Sequence, residues 1–269
     1  MQVITPQRGE EEFSLLGRCN GHYKCRVDGD GKPIGLLVGY AGKYKVGEGS
    51  DAKELPFVGL EYANYAAIER HGPANALIAQ RIIGRLGFGL TGRNLPVNSL
   101  EGTDVTGFIG APEGGKALAV AMATLTGRQY IFPDKEVIEA KSATSREKSK
   151  LVWGRHMPEA GEEWILSEDT TNNFATTAKM ISLIESCGAK VVAITCFLNR
   201  TVLPEFNEFF TLAEGRRVPI IALVRRPIPE YRQDDPVVAE LVKANRVIWK
   251  PKDNWAELMV SMGTYGKGK

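Results

Sequence analysis

The sequence predicts an α/β fold, a parallel sheet flanked by helices, with a small β-rich segment ahead of it. Three observations predict it. Short apolar runs alternate with helical periods from residue 104 to residue 224, the pattern of a helix-covered parallel sheet. A glycine turn, APEGG (111–115), leads straight into an alanine-rich run. The first fifty residues are rich in glycine around alternating apolar positions, as in GLLVGYAGKY (35–44), the texture of a hairpin or meander.

Taken in order, residues 61–70 show a helical pattern, and Pro73 opens a second helix with Leu77, Ile78, Ile82 and Leu86 at i, i+1, i+5 and i+9. Residues 105–109 read as a buried strand. A helix over 116–126 is stopped by Gly127, and 129–132 is another strand. The stretch 133–163 is dense in charge and poor in large apolar side chains (VIEAKSATSREKSK), which predicts a long mobile surface loop. A strand at 164–166, a helix at 176–186 and strands at 191–197 and 218–224 complete the alternation. After Arg225 come Pro227, Pro229 and Pro236, a short helix over 237–244 and an amphipathic stretch over 255–262. The expected division is an N-terminal segment (1–103), an α/β core (104–225) and a C-terminal extension that completes the domain (226–269).

Composition narrows the function classes. In 269 residues, 34 Lys and Arg against 32 Asp and Glu leave a net charge of +2, so nothing global favours nucleic acid or a membrane surface as partner. No apolar run approaches the roughly 20 residues of a membrane span. The N-terminus, MQVITPQRGEEEF, lacks the apolar stretch of a secretory signal, so a cytoplasmic enzyme is expected. Cys19, Cys25, Cys187 and Cys196 are too few for a disulfide framework. Cys19 and Cys25 flank His22, but their spacing is not that of a zinc knuckle. All four read as reduced thiols, with Cys187 and Cys196 as buried small hydrophobes. Gly87, Gly89 and Gly92 match a dinucleotide fingerprint by letter alone, because they follow a helix where the fingerprint must follow a strand. His22 and His71 read as structural, and the pair Arg225-Arg226 as a solvated strand end.

The informative stretch is WILSEDTTNNFATT (164–177). A strand delivers two adjacent carboxylates, Glu168 and Asp169, at its C-terminal end. A turn of amide and hydroxyl side chains follows, then a helix N-terminus. Ligands of open parallel sheets bind at this edge, and free N–H groups at a helix N-terminus suit a phosphate. The acids suit ribose hydroxyls or a water-bridged Mg²⁺. The alternative is a plain turn followed by a helix capped by Thr176.

This stretch resembles the phosphoribosyl pyrophosphate (PRPP) signature of type I phosphoribosyltransferases, and its spacing through Gly188-Ala189 and the strand after it is closest to the orotate enzymes. Two further segments agree in order. GAPEGG (110–115) resembles the family's pyrophosphate-binding loop, and FPDKE (132–136) resembles the segment that opens the catalytic lid, with Lys135 on the family's lysine. The resemblance covers roughly residues 104–224. It implies transfer of ribose 5-phosphate from PRPP to a nucleobase with release of pyrophosphate, Mg²⁺ as cofactor, and a homodimer. Under it, Glu168 and Asp169 hold the ribose hydroxyls or the metal. Asn172, Asn173, Phe174, Ala175 and Thr176 hold the 5′-phosphate. Glu113, Gly114, Gly115 and Lys135 face pyrophosphate, and Lys141 or Arg146 supplies the lid cation. The segments before and after the core would form a hood over the base.

The chain departs from the family pattern in two places. Phe174 stands where a glycine is expected, so its ring either crowds the loop or turns into the protein. The short Lys-x-His-Gly lid motif is absent, the lid is longer, and His156 lies near its far end. Three functions follow as expectations: an orotate phosphoribosyltransferase, a relative acting on a purine or unusual base, or a PRPP- or nucleotide-sensing protein without turnover.

Overall fold

A computed structural model describes residues 9–48, 52–91, 100, 102–139 and 148–263. In chain order the elements begin with α1 (Glu10–Arg18), β1 (His22–Lys24), β2 (Leu37–Val46), β3 (Lys53–Gly59), β4 (Glu61–Ala63), α2 (Ala66–Glu69) and α3 (Gly72–Thr91). Then follow β5 (Val105–Gly110), α4 (Gly114–Thr126), β6 (Gln129–Ile131), β7 (Asp134–Glu139), β8 (Lys148–Val152), β9 (Glu163–Thr171), α5 (Ala175–Glu185) and β10 (Lys190–Asn199). A 3₁₀ turn (Pro204–Phe206), β11 (Phe209–Thr211), β12 (Arg217–Arg225), α6 (Ala239–Lys243), β13 (Val247–Ile248) and α7 (Trp255–Ser261) complete the chain. These residues form two compact units, one from the described residues among 1–13 and 68–227, the other from those among 14–67 and 228–269.

The larger unit is built on a six-stranded sheet in the order β11-β12-β10-β9-β5-β6. Five strands are parallel, and only β11 runs antiparallel, at the edge beside β12. The expected α/β fold with a helix-flanked parallel sheet is therefore the observed one. Burial on both faces explains why the strands read as continuous apolar runs: Ile194, Cys196, Phe197 and Leu198 of β10 are all fully buried. Alternate residues serve opposite faces. Trp164 and Leu166 of β9 join Met180, Ile181 and Ile184 of α5 in one cluster, whereas Ile165 between them does not.

From β5 the chain steps outward to β6 and then returns to the other side of β5, where β9, β10 and β12 follow in turn. The order reverses between β5 and β9. With right-handed crossovers, the two directions put α4 and α5 on opposite faces. The crevice outside the C-terminal ends of β5 and β9 is thus the topological switch point of the sheet.

The smaller unit holds the three-stranded sheet β13-β2-β3, the pair β1-β4, and a core of Leu37, Val58, Val238, Leu241 and Val247. Val247 pairs with Leu37 in register, which ties the two sequence segments of this unit into one sheet.

Several expectations are corrected. The helical pattern at 61–70 is broken into β4 and the single turn α2, because Tyr62 pairs with Tyr23 across strands and tertiary pairing overrides local propensity. The segment expected as one loop over 133–163 contains an antiparallel ribbon, β7 with β8, joining Asp134 to Val152 and Glu136 to Lys150. Asp134, Lys135, Glu136 and Lys150 of this ribbon are charged and exposed, so apolar content is no guide to it. Cys187 is half-buried rather than buried, whereas Cys196 is buried, and all four cysteines are free thiols. α1 had no counterpart in the sequence reading. Among the described residues no helix is long and apolar enough to cross a membrane.

Candidate functional site

β9 does not stop at Leu166. It continues in parallel register with β10 through Thr171, so that Glu168 lies opposite Cys196 and Thr171 opposite Asn199. The acidic pair therefore sits inside the last turns of a strand, not in a turn after it, and the strand's alternation sends the two carboxylates to opposite sides. Glu168 is 7% exposed and accepts a hydrogen bond from the Thr177 hydroxyl at 3.2 Å. Burial, reinforced by the neighbouring Asp169 carboxylate and opposed by the Thr177 bond, pushes its acid up to about 8. Asp169 is half-buried and faces α4.

The glycine loop after β5 is fitted against this strand. The Ala111 amide donates to the Ser167 carbonyl at 2.8 Å. A Cβ at Gly114 would overlap the Asp169 carboxyl group, and one at Gly115 would run into the Ser167 carbonyl oxygen. Both glycines are therefore required by close approach. Gly115→Ala is expected to destabilise the protein by about 1–3 kcal/mol in thermal melts, since backbone on both sides cannot give. Gly114→Ala should cost less, because the Asp169 side chain can swing away. Glu113 precedes the helix at φ 72°, ψ −89°, a strained conformation of the kind concentrated at binding sites. Its carboxylate meets the Lys135 ammonium of β7 at 3.6 Å, which brings two of the predicted phosphate-binding elements together.

Residues 172–176 form the turn into α5. The Asn173 side chain accepts a hydrogen bond from the Ala175 amide at 3.1 Å, the short-range cap that Asn provides. Phe174 takes the left-handed conformation at φ 57°, ψ 17°. Its ring is 3% exposed and packs with Phe206 and Phe210 at centroid distances of 4.9 and 5.9 Å. Of the two expectations for this ring, the inward one holds, and it does not crowd the loop. The left-handed backbone costs about 1–2 kcal/mol, and burying the ring stabilises by about 1.5–3 kcal/mol with a further 0.5–1.5 kcal/mol for each aromatic contact. Packing wins.

Thr176 is exposed at the start of α5 and lines a cleft of about 850 Å³ with Pro112, Lys135, Lys150 and Lys179. Neither acid lines this cleft. Lys150 is paired with Glu136 at 2.9 Å. Lys141 and Arg146, the expected lid cations, lie outside the described residues. The structure thus brings Asp169 against Gly114 and the Ser167 carbonyl against Gly115, turns Glu168 to Thr177 on the other side of the strand, and places Glu113, Lys135 and Thr176 on the flanking elements. His22 pairs with Glu61 in the smaller unit, and His71 caps a turn with its carbonyl.

Thr177 was missed in the sequence, although its signal was present. Residues 177, 180, 181 and 184 share one helical face that is buried throughout, which sets Thr177 inward and Thr176 outward. Lys179, exposed on α5, lines the same cleft and was not singled out in the sequence, because a lone lysine on an exposed helix face looks like any solvated charge.

Mg²⁺ fits the donor set. The half-buried Asp169 carboxylate at the glycine loop offers a hard oxygen ligand, with the buried Glu168 next to it in sequence on the other side of the strand. An ion that keeps most of its waters and shares substrate oxygens suits so open a site.

No family model and no curated protein matches the sequence. The solved structures to which it is similar include UMP synthase of Leishmania donovani, at 14% identity and a TM-score of 0.46 over 95% of this chain and 42% of that one. The orotate phosphoribosyltransferase of Aeropyrum pernix matches at 13% identity and 0.46, over 79% and 92%. The adenine phosphoribosyltransferase of Thermoanaerobacter pseudethanolicus matches at 17% and 0.44, over 62% and 89%. This chain spans 42% of the length of the UMP synthase. With each of these TM-scores below 0.5, the chemistry of the site is read from its own residues.

Proposed function

We propose that the chain is a Mg²⁺-dependent phosphoribosyltransferase that moves ribose 5-phosphate from PRPP to orotate and releases pyrophosphate. The observation that carries this reading is the seating of the Asp169 carboxylate against Gly114, at the switch point between β5 and β9. One strand end offers acids to ribose hydroxyls, and the neighbouring helix N-terminus offers free N–H groups to a pyrophosphate. The choice of orotate rests on the spacing from Glu168-Asp169 to Gly188-Ala189.

Transfer breaks the bond from ribose C1 to the pyrophosphate oxygen and forms one to a base nitrogen. Positive charge develops on the ribose and negative charge on the leaving group, so catalysis is positioning and charge stabilisation without a covalent nucleophile. Asp169 and Glu168 orient the ribose through its hydroxyls. The 172–176 turn and the Thr176 hydroxyl hold the 5′-phosphate. Lys135 and the 113–115 loop receive the pyrophosphate, and Lys141 of the lid is assigned the closing positive charge. Asp169 and Glu168 would hold Mg²⁺ directly or through water, and the ion would supply positive charge to the departing oxygens. Water exclusion by the lid protects an intermediate-like ribose from hydrolysis. A homodimer and a cytoplasmic setting belong to the same reading.

Pyrophosphate release measured over a panel of bases tests it. Release that depends on orotate is expected. Release with adenine or another purine instead would reassign the base, and release with no base would overturn the reading.

A further inference from the structure

The conformation of the candidate phosphate loop is held from outside the loop. We infer that Phe174, Phe206 and Asn199 form a clamp that positions residues 172–176, doing by side-chain anchoring what a glycine does by backbone freedom. The inference rests on the proposed 5′-phosphate role of this loop, and it adds positioning residues that neither the acidic pair nor the glycine loop includes.

The chain of contacts is continuous. Asn199 ends β10, is fully buried, and lies in register between Thr171 of β9 and Arg225 of β12. Its side-chain amide donates to the Phe206 carbonyl at 2.9 Å, and its side-chain oxygen accepts from the Thr201 amide at 3.2 Å. These bonds fix the 3₁₀ turn whose Phe206 ring lies 4.9 Å from that of Phe174. Phe210 of β11 closes the trio, stacked on Phe206 at 5.9 Å. A second bond from the strand edge steadies the same turn: the buried Arg225 guanidinium donates to the Asn207 side-chain oxygen at 2.8 Å. At the other end, the Phe174 carbonyl accepts from the Ala178 amide at 2.9 Å, so the residue whose ring is clamped also starts the α5 hydrogen-bond ladder. A left-handed residue held only by its backbone would be free to relax. Here its ring is locked, and the amides that follow keep one direction.

Two accounts of position 174 are therefore separable. If only the positive φ matters, Phe174→Gly relieves it and binds phosphate as well as wild type or better. If the clamp matters, Phe174→Gly weakens binding. Phe206→Ala, which leaves the loop sequence intact and removes a half-buried ring, weakens it in the same way. Calorimetry with ribose 5-phosphate and with Mg²⁺–PRPP is expected to show about a tenfold loss in both variants. Phe206→Leu should recover most of it, and KM for PRPP should rise with little change in kcat. Hydrogen exchange at the amides of 174–178 supplies a readout free of any ligand: Phe206→Ala should speed it about tenfold relative to amides 181–184. Unchanged exchange in Phe206→Ala, or undiminished ribose 5-phosphate binding in Phe174→Gly, overturns the clamp. Wild type that binds neither probe overturns the proposed function instead, and the exchange measurement then decides the clamp by itself.

Discussion

Replacing Asp169 by asparagine is expected to lower kcat/KM for PRPP by about 10²–10³-fold, the cost typical of deleting one preorganised electrostatic contact at a reacting centre. The substitution keeps shape and volume, so the side chain still seats against Gly114 and the fold is untouched. What is lost is the charge that the proposed function sets against ribose and cation. Steady-state kinetics with circular dichroism as the control for folding measure the effect. A variant with normal turnover would remove Asp169 from the site. Because Asp169 faces the glycine at the start of α4, the Gly114→Ala variant should show a milder form of the same defect.

The second large effect is on stability, and its sign is opposite to that on activity. Glu168 is buried, and its acid sits near 8 in the folded protein against 4.5 for the exposed group. Between these values the folded state binds more protons than the unfolded state, so stability falls as pH rises from about 4.5 and levels off above about 8. The full penalty is on the order of 3–5 kcal/mol. Glu168→Gln removes it while keeping an oxygen to accept the Thr177 hydroxyl. The E168Q variant should therefore melt higher than wild type at pH 9 and close to it at pH 4.5, with transferase activity lost. Equal melting temperatures at both pH values would show that the Glu168 carboxyl is solvated in the folded protein.

The fold was legible where burial imposes a period. The strands at 105–109, 191–197 and 218–224 were found because both their faces are covered, and the helices at 116–126 and 176–186 because one face is. Boundaries were less legible. The last five residues of β9 are polar or acidic, yet they remain in register with β10 to Thr171; composition cannot show that a neighbouring strand continues to pair. The ribbon of β7 and β8 was hidden for a related reason, since its charged residues Asp134, Lys135, Glu136 and Lys150 are exposed and leave no apolar alternation. At the site, the adjacent acids and the double glycine were visible as letters. That Asp169 meets Gly114 was not, because it depends on β5 and β9 being neighbours although more than fifty residues separate them. The orientation of Phe174 was equally out of reach: it is decided by Phe206 and Phe210, which lie beyond the next strand.

The central claim is that the strand end and glycine loop at the switch point form a PRPP site. Titration calorimetry of wild type with PRPP, with and without Mg²⁺, tests it most directly. The account predicts saturable binding at one site per chain that requires Mg²⁺ and is lost in the Asp169→Asn variant. Absence of binding in the presence of Mg²⁺, or binding that survives loss of the Asp169 charge, would contradict it.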